Sequence, residues 1–402
     1  MDYRRQTKHD WNATLHRTQL EKPLRFANSR IYAGTEQQSS ARGIFAPFYN
    51  TGYPQSQYGN YNLIGAKFSL WKDLLIDSDR AALTKAKYDL TIAKSETKLS
   101  EWNIARLGQL AYWQWVTARK IKDVYEELLR NGETRNEYLN ARNKKGDIAR
   151  IVVTENEQYV ANRKSSLQAA TERLVRAKLE LSLFYRDSNG GPVIPKEESY
   201  EDYPSKLISL LERIDLNSDV EDLIHKRPDL KNLALNVTKA EVDLDLAKQD
   251  LRPQVDVTTE YFQRTVEHPQ GLPRDYLMVM AKVSVPIERN LGNGNIGAAR
   301  ARKMVAEKEM SYGHQTYKNE ILTLRQALIL RLEQVTQSEI EYTKAKELVE
   351  SETYKFKSGG GNLYLVNLRE EAQANAEASF HEARLAFMDA YLIYQAMINT
   401  IE

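Results

Sequence analysis

Leu277-Met-Val279-Met-Ala281-Lys-Val283-Ser-Val285 carries an apolar residue at every odd position. Successive side chains of an extended chain point to opposite sides, so this period of two reads as a β-strand with one apolar face. Upstream, Val255-Asp-Val257-Thr-Thr259-Glu-Tyr261 alternates in the same way, with Asp256, Thr258 and Glu260 on the other face. The turn-rich Glu267-His-Pro-Gln-Gly-Leu-Pro273 joins the two into a hairpin within residues 253–287. A fainter copy lies within residues 44–70, where Ile64-Gly-Ala66-Lys-Phe68-Ser-Leu70 alternates after the aromatic stretch Phe48 to Tyr61.

A long proline-free segment follows each hairpin, from Pro54 to Pro192 and from Pro286 to the end. Proline breaks helix interiors, so both segments have room for very long helices. Residues 74–143 would form a rod of about 105 Å and residues 295–357 one of about 95 Å, at 1.5 Å rise per residue. Each ends at a glycine-bearing turn, Asn143-Lys-Lys-Gly146-Asp and Lys357-Ser-Gly359-Gly360-Gly361-Asn, and is followed by a return helix, 147–187 and 362–401. The rest reads as a polar arm (1–17), a first helix (18–43), a nonhelical interruption (189–216, with Pro192, Pro195 and Pro204) and a helix at 217–251. The chain thus divides into two repeats, 18–188 and 217–402.

The return helices carry sevenfold rows: Val153, Val160, Leu167, Leu174 and Leu181 in one, Ala376, Ala383, Ala390 and Met397 in the other, beside Phe380, Phe387 and Tyr394. Such rows require neighbouring helices in near-parallel contact. An ordinary helical bundle explains them equally well, and only the helix lengths argue against it.

The hairpins admit two readings. One is a soluble sheet with its apolar face on a core. The other is a membrane barrel with apolar residues toward lipid and polar residues toward the lumen, tyrosines such as Tyr58, Tyr61, Tyr261 and Tyr276 serving as interfacial girdles. Four strands cannot close a barrel, since membrane barrels begin at about eight strands. Three chains would supply about twelve, so the barrel reading demands a trimer.

Composition excludes several classes. A net charge of +2 gives no footprint for nucleic acid, and the absence of cysteine removes disulfides and thiolate metal sites. The six histidines are scattered without metal-ligand spacing, and no cofactor is expected. Met1-Asp-Tyr-Arg-Arg-Gln has charge but no apolar core, so it reads as no signal peptide. Gly292-Asn-Gly294-Asn-Ile-Gly297 matches the dinucleotide fingerprint literally. That fingerprint needs a short helix returning to a second parallel strand, whereas here a long helix follows, so the segment reads as a flexible strand-to-helix joint. No constellation of catalytic residues appears, and the protein is not expected to be an enzyme.

Several segments resemble the TolC-like outer-membrane efflux family. Ala27-Asn-Ser-Arg-Ile, running on to Ala41-Arg-Gly-Ile-Phe-Ala-Pro47, is similar to the family's first helix entering its first strand. Arg227-Pro-Asp-Leu230 with Ala240, Ala247 and Leu251-Arg-Pro-Gln254 is similar to the entry into the second hairpin. Val283-Ser-Val-Pro-Ile287 with its Gly/Asn stretch, the turn from Gly361 to Gln373 and the alanine-rich final helix complete the match over residues 20–402. The resemblance implies a mainly α fold with a small β part: helical hairpins forming a trimeric periplasmic tunnel, and four strands per chain in a shared twelve-stranded outer-membrane β-barrel. It implies an exit duct for efflux or type I secretion, working with a periplasmic adaptor and an inner-membrane transporter. Aligned on Gly361, the tunnel constriction falls at Asn367 and Glu370, with Val152 at the comparable place in the first hairpin. Gly146, Gly359, Gly360 and Gly361 would form the hairpin turns at the periplasmic tip. The competing reading is a soluble periplasmic coiled-coil adaptor or structural scaffold.

Overall fold

The computed structural model describes residues 2–7, 12–24, 26–40, 58–196, 201–204, 207–212, 220–265 and 275–398. In chain order the elements are β1 (Asp2–Thr7), β2 (Asn12–Pro23), β3 (Arg30–Ser40), β4 (Tyr58–Ser69), α1 (Ser78–Lys144) and α2 (Arg150–Ser182). Then come α3 (Ile208–Glu212), α4 (Val220–Lys226), α5 (Pro228–Lys248), β5 (Gln254–Arg264), β6 (Asp275–Ser284), α6 (Asn290–Lys357) and α7 (Leu363–Met397). The protein is mainly α with a small antiparallel sheet. The chain divides into two compact units, one of Met1–Ala93 with Asn232–Ser311, the other of Lys94–Lys231 with Tyr312–Glu402. Among the described residues no helix is long and apolar enough to cross a membrane.

The first unit holds one sheet in the order β1-β2-β3-β4-β5-β6, all neighbours antiparallel. This corrects the expected polar arm at 1–17, the expected helix at 18–43 and the count of four strands. Residues 2–7, 12–23 and 30–40 are strands, so the chain contributes six. Thr35, Ser39 and Ser40 are weak helix formers, while Ile31, Tyr32 and Thr35 suit a pleated surface. Gly34 permits a close approach: a Cβ there would lie 2.0 Å from the Thr18 carbonyl oxygen across the ladder. Ala27 and Asn28, both left-handed, turn the chain between β2 and β3. The decisive influence is β4, which pairs with β3 from Arg30↔Lys67 to Ser39↔Tyr58, a partner that no local pattern announces. Ala41-Arg-Gly-Ile-Phe-Ala-Pro47, the start of the expected first hairpin and the Glu267–Pro273 turn fall outside the described residues.

Three further expectations change. Pro228 lacks an N–H and is suited to the first helical position, so the helix expected at 217–251 is divided into α4 and α5. The interruption at 189–216 contains the short α3. The glycine-rich joint is helical and opens α6, and a Cβ on Gly292 would come within 2.6 Å of the Leu251 side chain. Gly292 therefore serves close packing, whereas Gly294 and Gly297 face open space inside the helix.

In the second unit, α1 and α2 meet at Gly146, and α6 and α7 meet at Gly359, both with left-handed backbone at φ +82 and +83. Val153, Val160, Leu174 and Leu181 are buried along α2, and Ala376, Ala383, Phe387, Ala390, Tyr394 and Met397 along α7. Arg227 closes α7: its guanidinium donates to the Ala396 and Met397 carbonyls at 3.1 and 3.3 Å, is paired with Asp229, and lies over the Tyr317 ring.

Candidate functional site: an apolar-faced sheet and an ionic clasp

Strand register sorts the sheet's side chains into two faces. Leu20, Ala33, Ile64, Tyr261 and Leu277 form one row across five strands, and Lys22, Ile31, Ala66, Thr259 and Val279 form the next on the same face. This face is exposed, Leu277 at 64%. The opposite face carries Gly34, Leu63, Phe262 and Tyr276 in one row, flanked by Tyr32, Glu260 and Met278 and by Glu36, Tyr61 and Arg264. Here Leu63 is 1% exposed, Phe262 stacks on Tyr276 with ring centres 4.7 Å apart, and Arg17 pairs with Glu260 at 2.5 Å. One face of the sheet thus exposes mostly apolar side chains, while the sheltered face sets the charges of Arg17, Glu36, Glu260 and Arg264 beside the cluster of Tyr61, Leu63 and Phe262.

The second unit has the opposite arrangement at its hairpin turns. Leu139, Val153 and Leu363 pack together with Ile148, Val152 and Phe356, so the two turns share one apolar cluster. Gly361 is held close by the preceding helix end, since a Cβ there would lie 2.6 Å from the Phe356 nitrogen, while Gly359 has open surroundings. Within this unit, α7 meets α1 and α2 through a charged group. Arg135 Nη1 donates to Asn367 Oδ1 at 2.6 Å and to Glu370 Oε2 at 2.9 Å, and Nη2 donates to Glu370 Oε1. Arg163 Nη2 donates to the same Glu370 Oε2 at 2.9 Å, and its Nη1 to the Leu128 carbonyl at 3.0 Å. Gly132 leaves room for this side chain: a Cβ there would be 2.9 Å from Arg163 Nη1.

Asn367 is 1% and Glu370 9% exposed, so both residues expected to narrow a tunnel lie between helices of their own chain. Burial pulls the Arg163 guanidinium below its ordinary pKa, and the adjacent Glu370 carboxylate opposes that shift. Two arginines on one carboxylate leave the clasp with a surplus positive charge, and removing Glu370 would strand both. Sequence reading missed Arg135 and Arg163, and met Arg227 only as part of the entry to the second hairpin. A signal existed for Arg163: it lies three residues after Val160, on the apolar seam of α2, where a charge demands a partner. Among the described residues no group of three or more His, Cys, Asp or Glu could hold a metal ion.

No protein-family model and no curated protein matches the sequence. Solved structures match over nearly the whole chain. The CmeC outer membrane channel of Campylobacter jejuni aligns with a TM-score of 0.75 at 14% identity, over 93% of this chain and 78% of that one. VceC, an outer membrane protein of Vibrio cholerae, gives 0.70 at 15% identity, over 97% and 87%. The open state of the MtrE outer membrane channel of Neisseria gonorrhoeae gives 0.67 at 15%, over 96% and 81%. The chain has a TolC-like fold. Identities this low speak for fold, and function has to be argued from the sites that the TolC-like frame carries.

Proposed function

We propose that this protein is an outer-membrane exit duct for efflux and not an enzyme, passing substrates through a helical tunnel and a membrane barrel. The observation that carries the reading is a sheet whose exposed face is largely apolar and whose sheltered face holds charged pairs, on a chain whose structural neighbours are outer membrane channels. Type I secretion is the variant of the same role in which a secreted protein takes the place of a small substrate. A periplasmic adaptor and an inner-membrane transporter are the partners that such a duct requires.

The duct is a homotrimer in this reading. Support comes from α6, which is apolar on two faces. Ile321, Leu328 and Val335 are buried, while Tyr312, Leu330 and Leu348 are exposed and recur every eighteen residues, about five turns of helix. Leu330 lies about half a turn round from Ile321 at 100° per residue, so the exposed stripe needs a surface other than the one already covering α6. A second copy of the chain supplies it. Three copies bring eighteen strands if every described strand enters the wall, and twelve if β3 to β6 alone do.

The passage narrows where α7 is held by Arg135 and Arg163, so Asn367 and Glu370 set the constriction by fixing the helix rather than by lining it. Opening slides or unwinds the hairpins at the Gly146 and Gly359–Gly361 turns. Cysteines introduced beside the two turns and oxidised to a disulfide should abolish export, and unimpaired export would remove the gating scheme. The mass of the detergent-solubilised particle tests the whole reading. Three chain masses with a detergent belt support it, whereas a detergent-free monomer or dimer leaves a coiled-coil scaffold.

A further inference from the structure

The helix-side end of the sheet carries a cavity of about 510 Å³ that the duct reading does not use. Its wall contains Lys72, Lys85 and Arg302 against Asp73, Asp243 and Asp250, three charges of each sign. Four of the six are engaged: Lys85 meets Asp243 at 2.7 Å and Lys72 meets Asp250 at 3.4 Å. The other two are not. Among the described residues the Asp73 carboxylate has no hydrogen-bond or ion-pair partner, and the Arg302 guanidinium reaches only the Ala298 carbonyl of its own helix at 3.4 Å. Asp73 is also held in left-handed backbone, φ +64, by contacts of its main chain, including a bond from Arg80 Nη2 to its carbonyl at 2.5 Å. Burial pushes its carboxyl above the usual range, although Lys72 opposes the shift, and Asp77, Asp256 and Asp250 add to it. A half-buried carboxylate in left-handed backbone, with Lys72 nearby but no direct hydrogen bond or ion pair, is the kind of group that a ligand cation would relieve.

The surroundings indicate which ligand. Leu70, Trp71 and Leu75 follow β4 and are exposed, and so are Ile287, at 95%, and Leu291 after β6. Leu70 and Ile287 keep the parity of the exposed apolar face, and Leu70 and Trp71 lead directly into Lys72 and Asp73 of the cavity wall. An apolar band ending at a pocket of balanced charge reproduces the tail-to-headgroup order of a phospholipid. We propose that this cavity binds an ammonium–phosphate zwitterion, the headgroup of phosphatidylethanolamine, with Asp73 taking the ammonium and Arg302 the phosphate. Equal numbers of positive and negative groups favour a zwitterion over an anionic headgroup. The lipid as source rests on the outer-membrane reading; the zwitterion chemistry rests on the cavity alone.

The test is native mass spectrometry of the full-length protein in detergent, titrated with phosphatidylethanolamine, phosphatidylglycerol or soluble glycerophosphoethanolamine. Phosphatidylethanolamine should be retained roughly tenfold better than phosphatidylglycerol, the worth of one charge-assisted hydrogen bond. Asp73→Asn should lose that preference and Arg302→Gln should weaken both lipids. Asparagine tolerates left-handed backbone, so the first variant should keep the fold, and an unchanged circular dichroism melt confirms it. Equal retention of the two lipids by the natural protein, or an unaltered preference in both variants, overturns the proposal. Displacement of the lipid by the soluble headgroup at equal concentration supports the site but assigns a free solute; failure to displace it assigns the lipid. A protein that is soluble without detergent would sink the duct, yet glycerophosphoethanolamine binding would still report on the cavity.

Discussion

The sheet and the clasp solve opposite problems. In the sheet, the exposed face is apolar and the sheltered face holds Arg17, Glu36, Glu260 and Arg264 among aromatic rings. At the clasp, an ionic group, Arg135–Glu370–Arg163, is enclosed between helices. The first arrangement exposes large side chains such as Leu277 and Val283, which an apolar surface would cover. The second encloses its charges and is balanced on one carboxylate. One region is specified by its surroundings, the other by a contact that can be broken.

That contrast can be tested in order of effect. Glu370→Gln should be the most damaging exchange, lowering stability by about 3–5 kcal/mol, because it leaves two buried cations with a neutral partner. Thermal melts measure the loss, and a dye-accumulation assay in cells should show leakage through a loosened duct. An unaffected variant would mean that the ionic group is not holding α7. Leu277→Arg comes next: facing lipid, it should lower assembly by about 2–4 kcal/mol, read as loss of the protein from the membrane fraction. Facing water, the same change would be nearly neutral.

The third test uses His381. Its ring is buried beside Lys120 of α1, Arg384 of α7 and Asp202 of the interruption, and burial, assisted by the two cations, pushes its pKa down to about 4. The unfolded chain takes up this proton near the ordinary 6.5, so the folded state is penalised as pH falls from 6.5 toward 4. Stability is full above that window, and a loss of roughly 2–3 kcal/mol across it is expected. His381→Gln should flatten this part of the melting-temperature profile. A smaller effect, about 1 kcal/mol, is expected for Gly359→Ala, where open space leaves left-handed backbone as the only cost. Smallest is Glu221→Gln, which breaks an exposed pair with Lys318 and should change stability by less than about 1 kcal/mol.

Much of the fold class was legible because it rests on local periods. Alternation in 255–261 and 277–285, proline-free runs and sevenfold rows are properties of a chain segment by itself, and they suffice for a mainly α chain with a small β part. The segment at 18–43 was not legible as strand. Its own pattern is indecisive, and it becomes strand by pairing, β3 lying between β2 and β4. The clasp was half legible. Asn367 and Glu370 were reached by position relative to Gly361, but their partners Arg135 and Arg163 are over two hundred residues away. No sequence spacing encodes such a contact.

Sequence alone determined where the helices are uninterrupted, where they turn at Gly146 and Gly359, and which strand positions are apolar, since each follows from backbone sterics or a short period. The tertiary structure decided the number of strands, the burial of Glu370 between two arginines, and the helical fate of the glycines at 292–297. Those depend on which surface comes to lie against which, and close packing and charge pairing act between residues that the chain keeps far apart.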